Sequence, residues 1–110
     1  MKRGGIYWVN LGPSQPPEFG KTRPGLVVSS TVHNEMLNSV VVIPLSTSGG
    51  EIWPLRLQVT GFPGRDSFAV LPGLRQVAKQ RLVEFIAAAS PDWMRRLDEA
   101  VTLYLADEPR

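Results

Sequence analysis

From Ile6 to Ala89 the chain runs as a succession of short segments rich in β-branched, aliphatic and aromatic residues, each interrupted by glycine, proline or a Ser/Thr cluster, and at Ser90 the apolar spacing becomes helical. Such punctuation predicts many short strands followed by one helix. Residues 6–11, ended by Gly12-Pro13, read as the first strand. Residues 25–30 and 40–45 are nearly continuous apolar runs, expected as central strands buried on both faces. Residues 55–59 alternate strictly, which places Arg56 and Gln58 on a wet face. Residues 67–71, 74–77 and 83–89 supply further strands, with turns at 61–65 and at Pro72-Gly73, and residues 33–37 fit one short helical turn. Trp8, Phe68 and Phe85 fall inside strands and are expected in the core. Ser90-Pro91-Asp92 combines an N-cap, a first-turn proline and an acid at the positive helix end. Trp93, Leu97, Ala100, Val101, Tyr104 and Leu105 then recur at helical spacing and are expected to pack on the sheet. The fold class is mainly β with α: one domain over 1–110, a small, strongly bent sheet or SH3-like β-barrel closed by the C-terminal α-helix.

Function has to come from particular residues, because small barrels host many activities. The chain contains no cysteine, which removes disulfide scaffolds, cysteine nucleophiles and thiolate metal sites. Only residues 6–9 follow the basic start as an apolar run, too few for a signal-peptide core or a membrane span, so a cytoplasmic protein with no membrane association is expected. The net charge of +2 conceals an asymmetry: nine Lys/Arg face four Asp/Glu in residues 1–83, and three face six in residues 84–110. The basic part is where a polyanion would bind, although solvated faces would give the same count. Residues 12–24 hold four of the ten prolines and two glycines with little apolar periodicity, a loop long enough to suggest a functional role. A second loop, Ser46-Thr47-Ser48-Gly49-Gly50, follows the second buried run.

Lys2-Arg3-Gly4 before Ile6-Tyr7-Trp8-Val9, then Gly12-Pro13, Glu18, Thr22-Arg23-Pro24 and Val27-Val28, resemble the N-terminal signature of the MazF/PemK (Kid) toxins. The similarity continues through Val42-Ile43-Pro44-Leu45-Ser46-Thr47-Ser48, Arg65-Asp66-Ser67, Leu74-Arg75-Gln76-Val77-Ala78-Lys79-Gln80-Arg81-Leu82 and the terminal helix with Asp98-Glu99-Ala100. It covers nearly the whole chain in order. The resemblance implies a homodimeric, sequence-specific endoribonuclease toxin of a type II toxin–antitoxin system, blocked by a cognate antitoxin. Its substrate would be single-stranded RNA, cut without metal or cofactor to a 2′,3′-cyclic phosphate and a 5′-hydroxyl. Two alternatives stand beside it: a CcdB-like toxin that binds gyrase without chemistry, and a catalytically degenerate relative that only binds RNA or antitoxin.

Cleavage through a cyclic phosphate needs a fixed cation on the phosphorane, and Arg23 suits this because a guanidinium stays charged and its fork spans two oxygens. A barrel-rim arginine paired with Glu18 is the competing reading. Ser46 stands where the family usually has threonine, and with Thr47 it offers hydroxyls to a phosphate oxygen; an ordinary turn would instead bond them to its own backbone. Glu18 matches the glutamate often found before the family's arginine and is a candidate base, with Arg23 itself and solvent as the alternatives. Phe19 and Trp53 are loop aromatics able to stack on bases, and Lys21, Arg56, Arg65 and Arg75 are expected along the phosphates. Trp53 equally suits a barrel end or a dimer seam. His33, the only histidine, lies outside the motif positions and reads as a loop or cap residue, and Lys79 and Arg81 read as solvated turn residues. The chain departs from the family pattern at Gly5, at Glu18-Phe19 and at Pro72-Gly73, which points to altered base recognition.

Overall fold

In a computed structural model, which describes residues 1–106, the longest strand is the one the apolar run at 40–45 predicts. The strands are β1 (Gly5–Asn10), β2 (Thr22–Val27), β3 (Ser39–Ser46), β4 (Arg56–Gln58), β5 (Phe68–Val70), β6 (Arg75–Ala78) and β7 (Leu82–Ala88). Helix α1 (Thr31–Met36) lies between β2 and β3, and α2 (Pro91–Leu105) closes the described chain. All pairings are antiparallel, in the order β4-β5-β3-β2-β1-β7, with β6 joined to β3 off that path. One edge of β3 is given to β2; the other is shared, β6 pairing with Ser39 to Val42 and β5 with Leu45 and Ser46. That division bends the sheet sharply around β3.

Strand alternation then creates two cores. Ile43 and Leu45 point to one side, into a cluster with Ile6, Leu26, Leu57, Ala69, Leu71 and the α2 residues Trp93, Met94, Leu97 and Ala100. Val40 and Val42 point to the other, with Val9, Leu11, Val27 and Val77. A strand buried on both faces must be apolar at every position, which is why the run reads as continuous. The expected strand at 25–30 is displaced: β2 begins at Thr22 and ends at Val27, so Thr22-Arg23-Pro24 belong to the sheet and not to the preceding loop.

The closed barrel expected from the sequence does not form. Among the described residues no ladder joins β7 to β4 or β6. The sheet path instead ends at β4 on one side and β7 on the other, with β6 branching from β3. The open side is covered instead by α2, whose start follows its sequence signal: Ser90 Oγ accepts from the Trp93 amide at 3.2 Å, Pro91 occupies the first turn, and the Trp93 indole N–H donates to the Gln58 carbonyl at 2.6 Å. Tyr104 and Leu105 continue the apolar stripe but are exposed, the last buried residue of the helix being Ala100.

Three aromatic residues expected in the core are not fully buried. Trp8 is 40% and Phe85 56% exposed, and Phe68 is only half-buried. In β1 the inward positions go to Ile6 and Val9, and the β1–β7 register shifts at Ile6/Tyr7 and Trp8/Val9, which turns Trp8 outward. β7 is an edge strand with Val83 and Phe85 on its outer face, Phe85 meeting Tyr7 edge-on with ring centroids 5.4 Å apart. His33 takes the cap role expected of it, on α1, with Nδ1 3.0 Å from Ser30 Oγ.

Candidate active site

Proline sets the position of the site. The β2–β3 ladder pairs Val27 with Val42, Leu26 with Ile43 and Gly25 with Pro44, and there it stops. Neither Pro24 nor Pro44 has an N–H to donate, so the ladder loses its bonds where these residues sit. Arg23 and Ser46 each lie two residues past that end of the ladder, where Arg23 pairs with Val9 of β1 and Ser46 with Phe68 of β5. Alternation also fixes their common face. Arg23 shares a side of β2 with Gly25 and Val27, and Ser46 shares a side of β3 with Val42 and Pro44. Val27 and Val42 lie in one core cluster, and a Cβ on Gly25 would stand 2.8 Å from Val9 Cγ2. The guanidinium and the hydroxyl that the sequence nominates therefore sit at one end of adjacent strands, on one side of the sheet.

Arg23 is half-buried with its Cζ 4.5 Å from the Phe19 ring centroid, and its Nε donates to the Gly20 carbonyl at 3.3 Å. No carboxylate lies within ion-pair distance of it among the described residues, so the reading of a rim arginine tied to Glu18 does not hold. Phe19 is held in turn by Gly73: a Cβ at 73 would lie 2.6 Å from Pro44 Cγ and 3.1 Å from Phe19 Cδ2. The missing side chain at 73 lets Pro44 and Phe19 close up beneath Arg23. Phe19 thus serves first as a platform for the guanidinium, and its ring is not a free stacking surface.

Beside this platform lies a cleft of about 680 Å³, lined by Glu18 and Phe19 of the first loop, Arg56 of β4, and the segment from Pro72 through Arg75. Arg75 alternates with buried Val77 and so faces the same side; its Nη1 lies 3.4 Å from the Leu11 carbonyl, which leaves donors to spare. With Arg23 adjoining, three guanidinium groups stand against the single carboxylate of Glu18. A cleft of that sign and width attracts a phosphodiester chain.

Ser46, half-exposed at the end of β3, accepts from the Ser48 amide at 3.3 Å and lies 3.2 Å from Ser48 Oγ; Thr47 is exposed. The loop that follows is tied down twice. Arg56 donates from Nη2 to the Ser48 carbonyl and from Nε to the Gly50 carbonyl at 3.3 Å. Glu51 accepts from both Nη groups of Arg96 on α2 at 3.2 Å and from the Gln58 amide at 2.9 Å. The hydrogen bond from Arg96, and then that from Gln58, hold the Glu51 carboxyl below its ordinary range. A depressed carboxylate contributes stability above its unfolded value, lost as pH falls through the folded one. In thermal melts taken from neutral pH down through the carboxylate range, Glu51→Gln is therefore expected to flatten part of the acid-side decline; superimposable pH profiles would contradict the tether. No local pattern joins residues 51 and 96, and sequence reasoning missed the pair.

Other nominated residues lie elsewhere. Trp53 is 42% exposed and stands against α2, with Arg96 Cζ 5.1 Å from its ring centroid. Lys21, at φ 62°, closes the first loop through its backbone, bonding Gly12 and Leu11, and its side chain does not line the cleft. Arg65 is exposed in the turn before β5 and does not line it either.

The sequence profile of the PemK-like, MazF-like toxins of type II toxin–antitoxin systems matches residues 2–105. The chain belongs to that family. Over 111 aligned residues it is 30% identical to Endoribonuclease EndoA of Bacillus subtilis, covering 96% of this chain and 95% of that one. Endoribonuclease MazF9 of Mycobacterium tuberculosis is 29% identical over 114 residues, 96% of each chain. Among solved structures, MazF from Deinococcus radiodurans superposes with a TM-score of 0.82 at 20% identity over 97% of both chains. An endoribonuclease of a mycobacterial species, solved with its cognate antitoxin, gives 0.81 at 22% identity over 99% of both. These likenesses carry the PemK/MazF-like fold across the whole described chain.

Proposed function

We propose that this family member is the endoribonuclease toxin of a type II toxin–antitoxin system, cutting single-stranded RNA at short sequences by metal-independent transesterification. The observation that carries the reading is Arg23, free of any carboxylate partner among the described residues and seated on Phe19 of a cleft wall that also presents Arg75, with Ser46 at the end of the neighbouring strand β3. In the proposed reaction Glu18, at the cleft wall, takes the proton from the ribose 2′-hydroxyl. The 2′-oxygen attacks phosphorus, the bond to the 5′-oxygen breaks, and that oxygen takes a proton from solvent, which leaves a 2′,3′-cyclic phosphate and a 5′-hydroxyl. Arg23 holds the charge that gathers on the phosphorane oxygens, with Ser46 or Thr47 as a further donor. Arg75 follows a flanking phosphate, and the cleft wall at Pro72-Gly73 helps to select the bases.

The unit is the single domain 1–110, acting as a cytoplasmic homodimer, with the outward Trp8, Val83 and Phe85 as apolar surface for the second copy and the cognate antitoxin competing for the RNA cleft. Incubation of purified protein with a mixed-sequence single-stranded RNA in EDTA is expected to yield discrete fragments ending in a cyclic phosphate. Intact RNA, dependence on a divalent cation, or 5′-phosphate ends would overturn the proposal.

A further inference from the structure

Arg56 lines the cleft, which invites its assignment to an RNA phosphate, yet its guanidinium is already occupied. It reaches back across the 46–50 loop, donating to the carbonyls of Ser48 and Gly50. Gly49, between them, has φ +91°, and a Cβ there would lie 2.7 Å from both Cζ and Nη2 of Arg56 and 2.9 Å from Nε. The loop therefore wraps the planar group closely: the positive φ favours glycine at the middle position, and a side chain there would also have to displace the guanidinium. The base of the loop is closed by a reciprocal backbone pair, Ile52 N to Arg56 O at 2.9 Å and Arg56 N to Ile52 O at 2.7 Å. β4 itself is anchored on β5 through Arg56 opposite Val70 and Gln58 opposite Phe68, and Phe68 is also the partner of Ser46.

We infer that Arg56 is a positioning residue: with Gly49 it forms a clamp that holds the Ser46–Ser48 hydroxyls toward Arg23, and it does not serve as a phosphate ligand. The inference deepens the ribonuclease reading and rests on it for its kinetic consequence. Two fixed carbonyl acceptors need a fork, which lysine lacks while keeping the charge. A phosphate contact tolerates lysine far better.

The test compares Arg56→Lys and Gly49→Ala with the parent protein on an RNA oligonucleotide and on its uncleavable analogue bearing 2′-deoxyribose at the scissile position. Both variants are expected to lose about 10- to 100-fold in kcat, the scale of a small misplacement of reacting groups. Affinity for the 2′-deoxy analogue should stay within about twofold, and the slope of its logarithm against log salt should not change, since no phosphate contact is removed. Gly49→Ala is informative because it removes no charge. If Arg56→Lys keeps the parent kcat, if Gly49→Ala is silent, or if either variant weakens analogue binding with a salt slope reduced by about one, the clamp is refuted. Amide hydrogen exchange at Ser48 and Ile52 without RNA gives an independent reading: the clamp predicts faster exchange in both variants, and unchanged exchange opposes it. If the parent protein cuts no RNA, the ribonuclease reading fails, and exchange alone decides the clamp.

Discussion

Arg23→Ala is expected to lower kcat on single-stranded RNA by about 10²- to 10³-fold, or ~3–4 kcal/mol of transition-state stabilisation, while the fold survives. The side chain rests on Phe19 and makes one hydrogen bond to the Gly20 carbonyl, so truncation strands no buried charge. Stability should change little, because exposed or half-exposed sites without a special backbone role usually stay within about 0.5 kcal/mol. Arg23→Lys should fall between parent and alanine variants, since it restores charge without the two-oxygen fork. Steady-state kinetics beside a thermal melt separate the two effects. An alanine variant that cuts at the parent rate would remove Arg23 from the chemistry.

The second large effect concerns the helix that covers the open sheet. Leu97→Ala is expected to cost about 2–5 kcal/mol, the range for emptying a fully buried leucine site. Leu97 is fully buried among Ile6, Leu26, Ile43 and Ala100, and it packs α2 onto the face of β3 opposite the cleft. At about 4–8 °C per kcal/mol for a domain near this size, the melting temperature should fall by roughly 8–40 °C. Leu103→Ala on the same helix is the control: its side chain is exposed, and its melt should nearly overlay the parent's. Equal shifts for the two variants would mean that α2 does not close the core in the way described. Loosening α2 should also free Glu51 from Arg96 and so disturb the loop that carries Ser46.

Much of this architecture is readable from residues because local and tertiary demands agree. The run at 40–45 is apolar throughout since β3 separates two cores, and Ser90-Pro91-Asp92 marks a helix start that depends only on local bonding. Arg23 and Ser46 were identifiable by type and position. What puts them at the same end of adjacent strands is the β2–β3 register, and no local pattern carries that information. The outward turn of Trp8 follows from bulges against β7, and Tyr104 and Leu105 lie beyond the last buried residue of the helix; periodicity reports a stripe and not what lies under it. By type and position Phe19, Trp53 and Arg56 read as exposed groups able to meet RNA, Trp53 equally as a barrel-end or dimer-seam residue. Their partners, Gly73 with Arg23, Arg96, and the Ser48 and Gly50 carbonyls, are brought to them only by folding. The departures at Phe19 and Pro72-Gly73 prove to be neighbours in space, so two oddities of sequence are one feature of structure.

The central claim is that the guanidinium at 23 and the hydroxyl at 46 meet on a single phosphate. A crystal structure of the protein with an RNA made uncleavable by 2′-deoxyribose at the cut site measures this directly. The scissile phosphate is expected within hydrogen-bonding distance, about 3 Å, of both Arg23 and the Ser46 or Thr47 hydroxyl, with the flanking chain running past Arg75. A scissile phosphate seated away from Arg23, or RNA bound across the Trp53 side of α2 with the cleft empty, would contradict it.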